Sequence, residues 1–413
     1  MSRRVVITGM GAVCPVGNDL PTVWDRLIAG ASGVDYITHF DSTPFKVNVH
    51  AEVKDFHPEG TLEAKRLKHM DRNVQFGCVA ADEALRDSGL DVTDENRGRI
   101  GVIFGSGGGG MSTLLRWYDV LKEKGPRRIS PFFMTNFIAD AASGHIAIQS
   151  GVTGPNYSPT SACATGANAV VDGAMYIQAG KADAMIVGGS EAVEQPLFHA
   201  CFESMRVLAP PADPPQATVK PFDLNRAGFV PGEGGAAMVI EDLEQAQARG
   251  ATIYAEVVGG GSGNDGYDMA APDPSARGLI NAMGQALHEA DIPYSDVGYV
   301  NTHGTGTQVG DKVDVGAVKK IFGEHAAGML VSSIKAATGH MMAASGALEV
   351  IVAAKALALG IIPPTLNYET PDPDCDLDCV PNAPREVDLR AAMSISVGLG
   401  GHNAAVLLRR WEG

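Results

Sequence analysis

The sequence predicts an α/β fold made of two similar halves. Segments with the pattern of buried strands alternate along the chain with helical segments, which is typical of βαβ units and largely parallel sheets. A helical segment that contains Gly166 ends at Gly180, and a later one that contains Gly346 ends at Gly360, after an equal interval. An internal duplication with a site between the halves explains this repeat, and chance similarity between alanine-rich helices is the alternative.

Composition and charge narrow the class of protein. Of the 413 residues, 45% are hydrophobic and 19% are charged, which is ordinary for a globular protein with ample core. The 50 glycines cluster in a few motifs, which indicates tight turns and close backbone contacts. The net charge of −16 argues against nucleic acid as a partner, since phosphate contacts need an excess of Lys and Arg.

The chain shows no sign of secretion or membrane insertion. Its first residues lack a long apolar signal region, and no run of about 18 apolar residues stands out. The six cysteines, at positions 14, 78, 163, 201, 375 and 379, are scattered and do not resemble a disulfide framework. Cys375 and Cys379 form a lone C-x3-C in an acidic loop, which is a weak metal signal. We expect a soluble, cytoplasmic protein without a metal site.

The first half is predicted to begin with a buried strand at residues 5–7, before the turn glycines Gly9 and Gly11. A helix at 74–90 and a strand at 100–104 follow, and then a glycine-rich turn at 105–110. An extended run at 156–162 leads into an amphipathic helix that ends at Gly180, a good helix stop. A strand at 184–187 and a proline-rich surface loop at 210–221 complete this half.

Cys163 is the first candidate for chemistry. It lies in the small-residue sequence Ser-Ala-Cys-Ala-Thr-Gly-Ala (161–167), at or near the N-terminus of the predicted helix. Unpaired N–H groups and the positive end of the helix dipole favour the thiolate there, and the thiolate is the nucleophilic form. A small buried structural cysteine is the alternative reading of this residue taken alone.

The second half is predicted to begin near residue 250, where a polar helical segment at 241–249 is stopped by Gly250. We divide the chain into an N-terminal half, 1–250, that carries Cys163, and a C-terminal half, 251–413. The C-terminal half contains a helix at 279–292, a strand at 297–301 and a final pair of strands around 393–397 and 404–408.

Two histidines in glycine- and threonine-rich turns complete the candidate site. His303 follows the strand at 297–301, at the carboxyl end where open α/β sheets bind ligands. His340 opens the helix that matches the cysteine helix, so the positive helix end should keep its imidazole neutral. Either histidine alone would fit a structural role, but two such motifs together with Cys163 indicate one common site.

These motifs resemble those of the β-ketoacyl-[acyl-carrier-protein] synthases, condensing enzymes of the thiolase superfamily, and most closely the elongating type II branch. The resemblance covers essentially the whole chain, from Val-Val-Ile-Thr-Gly-Met-Gly (5–11) to Gly-Leu-Gly-Gly-His-Asn (398–403). It includes the segments 128–133 and 226–230 as well as the motifs around Cys163, His303 and His340.

The resemblance implies a thiolase-like five-layered αβαβα fold, an obligate dimer and a catalytic triad of Cys163, His303 and His340, with no metal and no cofactor. The expected acyltransferase reaction is decarboxylative Claisen condensation of malonyl-[acyl-carrier protein] with a primer held on Cys163, giving 3-oxoacyl-[acyl-carrier protein] in fatty-acid elongation. Two imidazole N–H groups would hold the enolate, and the backbone N–H groups of Cys163 and Leu399 would form a second oxyanion hole.

The resemblance assigns supporting roles to further residues. Lys335 and Glu349 match the family's buried ion pair, which would position the histidine loop. Thr305 and Thr307 match positions that contact the pantetheine arm of the substrate, although both also suit a turn. An acidic acyl carrier protein would dock on basic residues, for which an ordinary solvated surface is the alternative. These candidate docking residues are Lys65, Arg66, Lys68, Arg72, Arg127, Arg128 and Arg206.

Three positions depart from the family's pattern. Leu399 stands in place of the phenylalanine of a Gly-Phe-Gly gating loop, and Gly108 stands where a bulky aliphatic residue often lies at the mouth of the acyl pocket. Ala270 replaces a threonine that usually helps to hold the pantetheine arm. We therefore expect a permanently more open acyl tunnel that accepts longer or bulkier primers, and a shift toward shorter primers in Gly108→Ile.

Other functions are open to the same sequence. A specialised ketosynthase of a polyketide or polyene pathway would use the same residues and often forms a heterodimer with a related chain-length subunit, in place of a homodimer. A non-catalytic chain-length subunit usually lacks the cysteine that this chain retains. A degradative thiolase normally carries a second cysteine in the C-terminal glycine loop, where residues 398–402 hold none, and initiating enzymes use Cys-His-Asn.

Overall fold

The structure, a computed structural model, describes residues 3–193 and 195–413. In the described chain the strands are β1 Val5–Val13, β2 Val34–Tyr36, β3 Val49–Ala51, β4 Ile100–Gly105, β5 Asn156–Tyr157, β6 Ala184–Glu191, β7 Gly234–Asp242, β8 Ala255–Asn264, β9 Val297–Asn301, β10 Leu330–Ser332, β11 Ile361–Ile362, β12 Arg385–Glu386, β13 Ala391–Gly398 and β14 His402–Arg410.

The helices alternate with these strands. They are α1 Leu20–Ile28, α2 Ala64–Leu67, α3 Arg72–Ser88, α4 Met111–Lys124, α5 Met134–Phe137, α6 Ala141–Ser150, α7 Thr165–Gln178, α8 Pro196–Met205, α9 Leu243–Ala248, α10 Arg277–Ala290, α11 Gly310–Phe322, α12 Lys335–Thr338 and α13 Ala343–Leu359. Among the described residues, no helix is long and apolar enough to cross a membrane.

The main sheet repeats one strand order twice. Its order is β10-β9-β13-β14-β8-β1-β7-β6-β4-β5. The strands of each half can be numbered one to five in chain order. From the outer edge of the sheet to its middle, both halves then follow the order third, second, fourth, fifth, first. The parallel and antiparallel pairings also correspond, because β4 pairs in parallel with β5 and β6 just as β9 pairs in parallel with β10 and β13. This correspondence confirms that the fold is made of two similar halves.

The five layers form around two central helices. Helices α7 and α13 pack against each other and against strands of both halves of the sheet. Helices α3 and α6 cover the outer face of the first half, and α10 and α11 cover that of the second. The largest core cluster joins α7 and α13 to strands from both halves. The predicted αβαβα class is therefore confirmed.

The predicted elements are present with shifted ends. The strand predicted at 297–301 is β9, and the helices predicted at 74–90 and 279–292 are α3 and α10. The polar helix predicted from residue 241 begins later, because residues 241 and 242 end β7. The predicted boundary at residue 250 falls between α9 and β8 and stays a prediction, since β1 pairs with β8 and joins the halves into one sheet.

The two central helices, α7 and α13, cross at a glycine in each helix, where neither has a side chain to hold them apart. A Cβ atom on Gly166 of α7 would overlap the carbonyl oxygen of Ala343 and lie 2.8 Å from the nitrogen of Ala347. A Cβ atom on Gly346 of α13 would lie 3.0 Å from the nitrogen of Ala167. The two glycines that matched in sequence thus meet each other's helix, and the close approach brings the N-terminal ends of both helices together.

We expect Gly166→Ala to lower the melting temperature, because the added methyl group has backbone atoms in its place and overpacking costs about 1–3 kcal/mol. Gly284→Ala is the matched control, since a Cβ atom there meets nothing within 4 Å and alanine gains about 0.5–1 kcal/mol in a helix. Scanning calorimetry of both variants measures the difference. Equal melting temperatures would contradict the tight crossing.

Candidate active site

Three chemically active side chains meet at a cavity of about 520 Å³. Cys163 lies in a 3₁₀ turn, Ala162–Ala164, directly before α7. His303 follows the end of β9, and His340 precedes Met342, the N-cap of α13. The site therefore combines one turn from the first half of the chain with two from the second. The cavity is lined by these three residues and by residues of the 397–401 loop, the 227–229 segment and the 270–272 segment, among others.

The three reactive groups lie close together, and one pair of them is close enough to exchange a proton. The Nε2 atom of His340 lies 3.0 Å from the Sγ atom of Cys163. The sulfur atom and one nitrogen atom of each histidine all lie within 4.8 Å of one another. The imidazole rings of His303 and His340 meet edge to face, with centroids 5.2 Å apart. All three side chains are buried, with 8% or less of their surface exposed.

Strained backbone holds the cysteine and one histidine. Ala162, before Cys163, has φ of 51°, and Met342, two residues after His340, has φ of 46°. Both lie in the left-handed region, where a non-glycine residue is strained. Gly398 packs against this turn, since a Cβ atom there would lie 2.7 Å from the Ser161 carbonyl oxygen and 3.1 Å from the Cys163 nitrogen. The nucleophile is thus fixed by surrounding backbone.

Burial determines the charge state of the triad. Burial raises the pKa of the Cys163 thiol to about 12, although the Lys335 cation acts in the opposite direction. Burial and the same cation lower the pKa of both His303 and His340 well below the ordinary value for histidine. The imidazoles are therefore neutral, as the sequence predicted for His340.

Desolvation of the Cys163 thiol outweighs the unpaired N–H groups that, as expected from the sequence, favour its thiolate. The residue lies in the 3₁₀ turn before α7, in a desolvated position where the neutral thiol is favoured. The backbone N–H groups of Cys163 and Leu399 also act on the sulfur and lower its pKa. Both N–H groups therefore lie near the Cys163 sulfur, where the oxygen of an acyl group bound to that sulfur would need donors.

Lys335 and Glu349 form a fully buried ion pair beneath the triad. Lys335 lies in α12 and Glu349 in α13, and the Nζ atom donates to Oε1. Burial raises the pKa of Glu349 to about 7, and Lys335 opposes this shift. The other carboxylate oxygen, Oε2, has no partner among the described residues. This pair places one positive charge where it acts on Cys163, His303 and His340 together.

The loop that carries His303 is held by two aspartates that the sequence reasoning missed. The Gly304 N–H donates to Asp314 Oδ2 at 2.6 Å, and the Gly306 N–H donates to Asp311 Oδ1 at 3.0 Å. Burial raises the pKa of Asp314 to about 8 and that of Asp311 to about 6. The signal available in the sequence was the i, i+3 spacing of two acids at the start of the helix that follows the His303 motif.

A buried arginine fixes the far side of the same loop. Arg226 donates to the carbonyl oxygens of Thr307 and Gln308 at 3.0 and 3.1 Å, and to Asp372 Oδ2 at 2.6 Å. The guanidinium is fully buried and has these acceptors from two distant segments. Arg226 begins the segment 226–230, which is part of the family resemblance, but the sequence predicted no role for this side chain.

His340 is oriented by its own neighbours. Its Nδ1 atom lies 3.3 Å from Ser345 Oγ, which also accepts the Met341 N–H at 2.9 Å. The Ser345 hydroxyl can donate to Nδ1 or accept from it, so either neutral tautomer of His340 is supported. The Phe229 ring packs edge-on against the imidazole, with centroids 5.2 Å apart.

The other predicted substrate residues divide into two groups. Thr305, Thr307, Ala270 and Leu399 all line the cavity, and the two threonine hydroxyl oxygens lie 3.1 Å apart. Gly108 is not among the lining residues, because the ring of Phe198 covers it. The expectation of a permanently open tunnel at Gly108 was therefore wrong, since another side chain fills the space.

The predicted docking residues also divide. Lys65, Lys68, Arg127, Arg128 and Arg206 are exposed, and Arg66 is half-buried beside His145.

Arg72 does not belong to this surface. Its guanidinium donates to Glu233 Oε1 at 2.8 Å and to the Val53 carbonyl oxygen at 3.0 Å, and it lies over the Phe76 ring. The prediction that Arg72 docks a carrier protein was wrong, because its guanidinium pairs with Glu233 inside the protein.

Within the described residues, Cys163, His303 and His340 are also the group of potential metal ligands whose ligand atoms lie close enough together to hold a metal ion. The predictions that the reaction needs neither metal nor cofactor stay predictions. Cys375 and Cys379 are buried in a core cluster with Leu377, so they pack as apolar residues.

Comparisons with known proteins agree with these motifs. Residues 2–246 match the family model for the beta-ketoacyl synthase N-terminal domain, and residues 254–369 match that for the C-terminal domain. A 3-oxoacyl-[acyl-carrier-protein] synthase 2 of Staphylococcus aureus (strain N315) is 45% identical over 411 residues, covering 100% of this chain and 99% of the relative.

Solved structures are similar along the full chain. The ishigamide ketosynthase/chain length factor matches with a TM-score of 0.92 at 34% identity, covering 100% of both chains. A type II PKS acyl-carrier protein in complex with its ketosynthase bound to the hexaketide (AntDE:AntF) matches with a TM-score of 0.91 at 32% identity, again over 100% of both chains.

We expect Lys335→Met to slow alkylation of Cys163 by iodoacetamide about tenfold, because loss of the cation raises the thiol pKa and one pKa unit is a factor of ten in thiolate. The same variant should melt at a lower temperature, since it leaves Glu349 unpaired. Peptide-resolved mass spectrometry separates Cys163 from the exposed Cys201.

The double variant Lys335→Met/Glu349→Leu is the control. It should regain most of the stability, because two well-packed apolar residues can replace a buried pair, but it should not regain the alkylation rate. Recovery of both properties would show that the pair only stabilises the fold.

Proposed function

The chain belongs to the β-ketoacyl synthase family, and we propose that it catalyses the decarboxylative condensation of malonyl-[acyl-carrier protein] with an acyl primer carried on Cys163. The product is 3-oxoacyl-[acyl-carrier protein], and the enzyme is an acyltransferase of fatty-acid elongation. The observation that carries this proposal is the meeting of the Cys163 sulfur with two neutral imidazoles at one cavity. The 45% identity to a 3-oxoacyl-[acyl-carrier-protein] synthase 2 over the whole chain supports it.

The first half-reaction transfers the primer to the enzyme. The Cys163 sulfur attacks the thioester carbon of the primer while its proton passes to His340 Nε2, 3.0 Å away. A neutral imidazole is required for this step, because an imidazolium has no free lone pair. The C–S bond to the pantetheine arm then breaks, and the departing thiolate takes the proton from His340. Acyl-Cys163 and free carrier-protein thiol are the products.

The second half-reaction uses the same imidazoles as donors. When malonyl thioester enters, its carboxylate leaves as CO2 and the electron pair moves into an enolate. The N–H groups of His303 and His340 hold the enolate oxygen, and burial strengthens these hydrogen bonds. The enolate carbon attacks acyl-Cys163 and the new C–C bond forms as the bond from the acyl carbon to sulfur breaks. The cysteine leaves as a thiolate and takes up one proton from water.

The tetrahedral intermediates on Cys163 need their own donors. The backbone N–H groups of Cys163 and Leu399 act on the sulfur, and we assign the oxyanion to them. Thr305 and Thr307 line the cavity on another side, where their hydroxyl groups suit the amides of a pantetheine arm. No cofactor is proposed, since the substrates arrive on that arm.

Acyl carrier protein is the partner that the proposal requires. The chain has a net charge of −16, but several basic side chains are exposed on its surface. One of them, Arg206, lines the cavity. An acidic carrier protein would be attracted to such a local cluster. The docking set is Lys65, Arg66, Lys68, Arg127, Arg128 and Arg206.

We propose a homodimer formed at the edge of the sheet next to β5. Helices α4, α5 and α6 pack in series beside this strand, and α4 buries only Thr113. Several large apolar side chains are exposed on this region, which is unusual for a surface in water. They include Phe132, Met134, Ile138 and Ile148. The proposal places the enzyme in the cytoplasm, which suits six cysteines that form no disulfide.

A specialised ketosynthase of a polyketide or polyene pathway is the second candidate. It is favoured by the TM-score of 0.92 to the ishigamide ketosynthase/chain length factor and by Leu399 in the glycine loop. Both candidates use the same triad and the same reaction. They differ in the primer and in the carrier protein, and in that second case the partner subunit would be a related, non-identical chain.

Mass spectrometry of the acyl-enzyme tests both candidates. Incubated with a panel of acyl carrier-protein thioesters, the wild type and Cys201→Ser should gain the acyl mass on the Cys163 peptide, and Cys163→Ser should not. Added malonyl-[acyl-carrier protein] should discharge it as 3-oxoacyl product with loss of CO2. Preference for saturated primers supports elongation, and preference for polyunsaturated or 3-oxo primers supports the second candidate. A folded wild type with no acyl group on Cys163 would contradict both.

We expect that neither His303 nor His340 becomes protonated between about pH 5.5 and 8, so that decarboxylation of malonyl-[acyl-carrier protein] by Cys163→Ala shows no loss of rate from imidazole protonation in this range. The step needs only neutral imidazoles, and their pKa values lie well below 6.5, so neither titrates in this range. Rates of CO2 release at saturating substrate measure the dependence, with carrier-protein binding measured at each pH as the control. A loss of rate with its midpoint near pH 6.5 that persists in Glu349→Gln and Asp314→Asn would show that one of these histidines titrates normally, because the raised pKa values of those two carboxyl groups, about 7 and 8, also fall in this range.

A further inference from the structure

A row of aromatic rings leads away from the catalytic histidine. The Phe229 ring lies edge-on to His340, Phe202 lies edge-on to Phe229 with centroids 5.4 Å apart, and Phe198 lies edge-on to Phe202 at 5.6 Å. Phe202 and Phe229 also line the cavity, whereas Phe198 does not. The rings belong to the apolar cluster that includes Cys163. An apolar chain attached to Cys163 therefore has an apolar wall to follow, and Phe198 stands at its far end.

Phe198 occupies the space that a side chain at residue 108 would fill. A Cβ atom on Gly108 would lie 2.8 Å from Phe198 Cζ and 3.0 Å from Cε2. These distances are shorter than any ordinary carbon–carbon contact, so the two positions share one volume. A bulky residue at 108 therefore requires the Phe198 ring to leave its present position. The missing side chain at Gly108 thus leaves no opening, because the ring from α8 closes it.

The backbone on the glycine side is fixed. Glu191 is buried and accepts the Gly107 N–H at 2.8 Å, the Gly108 N–H at 3.1 Å and the Ser106 hydroxyl at 2.8 Å. Ser106 Oγ in turn accepts the Gly109 N–H at 2.8 Å. The turn cannot retreat from Phe198 without breaking several buried hydrogen bonds, so any opening has to come from the ring.

The helix that carries Phe198 is also fixed, but the ring is not. The next residue, His199, is buried, and its ring nitrogens lie 2.8 Å from the Val47 carbonyl oxygen and 2.8 Å from His50 Nε2. These contacts hold α8 in place. Phe198 is only half-buried, and Gly107 beyond it is exposed. Rotation of the Phe198 side chain would therefore extend the cavity past Gly108 without movement of the helix.

We propose that Phe198 sets the acyl chain length that this enzyme accepts. The inference rests on the proposed function, because it concerns the primer held on Cys163. Primers that end before Phe198 bind without rearrangement. Longer primers require the ring to turn aside, and the free energy of that rotation is subtracted from their binding. Phe198 is a specificity-determining residue, and the glycine at 108 is its steric complement.

Competition among primers tests the proposal. With an equimolar mixture of short- and long-chain acyl carrier-protein thioesters, Phe198→Ala should raise the ratio of long to short acyl-Cys163 at least tenfold over wild type. Loading of the shortest primer should stay unchanged. Leu197→Ala is the control, because Leu197 is the exposed neighbour of Phe198 on the same helix. An unchanged ratio in Phe198→Ala and in the milder Phe198→Leu would overturn the proposal.

A size exchange tests the shared volume directly. Gly108→Ile should lower the melting temperature and reduce loading of long primers, because the new side chain collides with the ring. Gly108→Ile/Phe198→Gly should recover both properties, so the two substitutions should be strongly non-additive. Additive effects on melting temperature would show that the residues do not share a volume. The melting temperatures need no acyl transfer, and wild-type loading of the short primer reports on the proposed function separately.

Discussion

The close crossing of α7 and α13 is the constraint on which the site depends. Gly166 and Gly346 let each helix approach the backbone of the other, and the turns that precede the two helices carry Cys163 and His340. The 3.0 Å contact between sulfur and imidazole is the result. Because both helices are surrounded by strands from the two halves of the sheet, this geometry is enforced by the whole core. A duplicated fold thus places a nucleophile from one copy against a base from the other.

Burial and one buried cation then set the protonation of the site. Lys335 opposes a positive charge on either imidazole, and it favours the thiolate as Cys163 reacts. Burial lowers the pKa of both histidines, as Lys335 does, but it raises the pKa of Cys163, which Lys335 lowers. The resting state is therefore a neutral thiol beside two neutral imidazoles, and charge appears only during reaction. A preorganised, desolvated site of this kind strengthens every hydrogen bond to the developing oxyanion.

The residue patterns alone predicted two similar halves, many of their strands and helices, and the meeting of Cys163, His303 and His340, whereas the five-layered class came from the family resemblance and strands β7 and β8 were not predicted. Glycine stops, apolar runs and the spacing of the histidine motifs are local signals, and they carry this information. Arg72 and Gly108 were misjudged because their roles depend on residues distant in sequence, Glu233 and Phe198. The helix end that favours a thiolate at Cys163 is visible in the sequence, but the desolvation that outweighs it is not, because it depends on the packing of distant segments.

The protonation state of the triad is the most direct test of this account. Neutron diffraction from deuterium-exchanged crystals at about pH 5.5 would show each hydrogen position. We expect one deuteron on each of the His303 and His340 rings and a deuteron on the Cys163 sulfur. Two deuterons on either ring, or a bare sulfur, would contradict the claim that burial and Lys335 keep the site neutral before substrate binds.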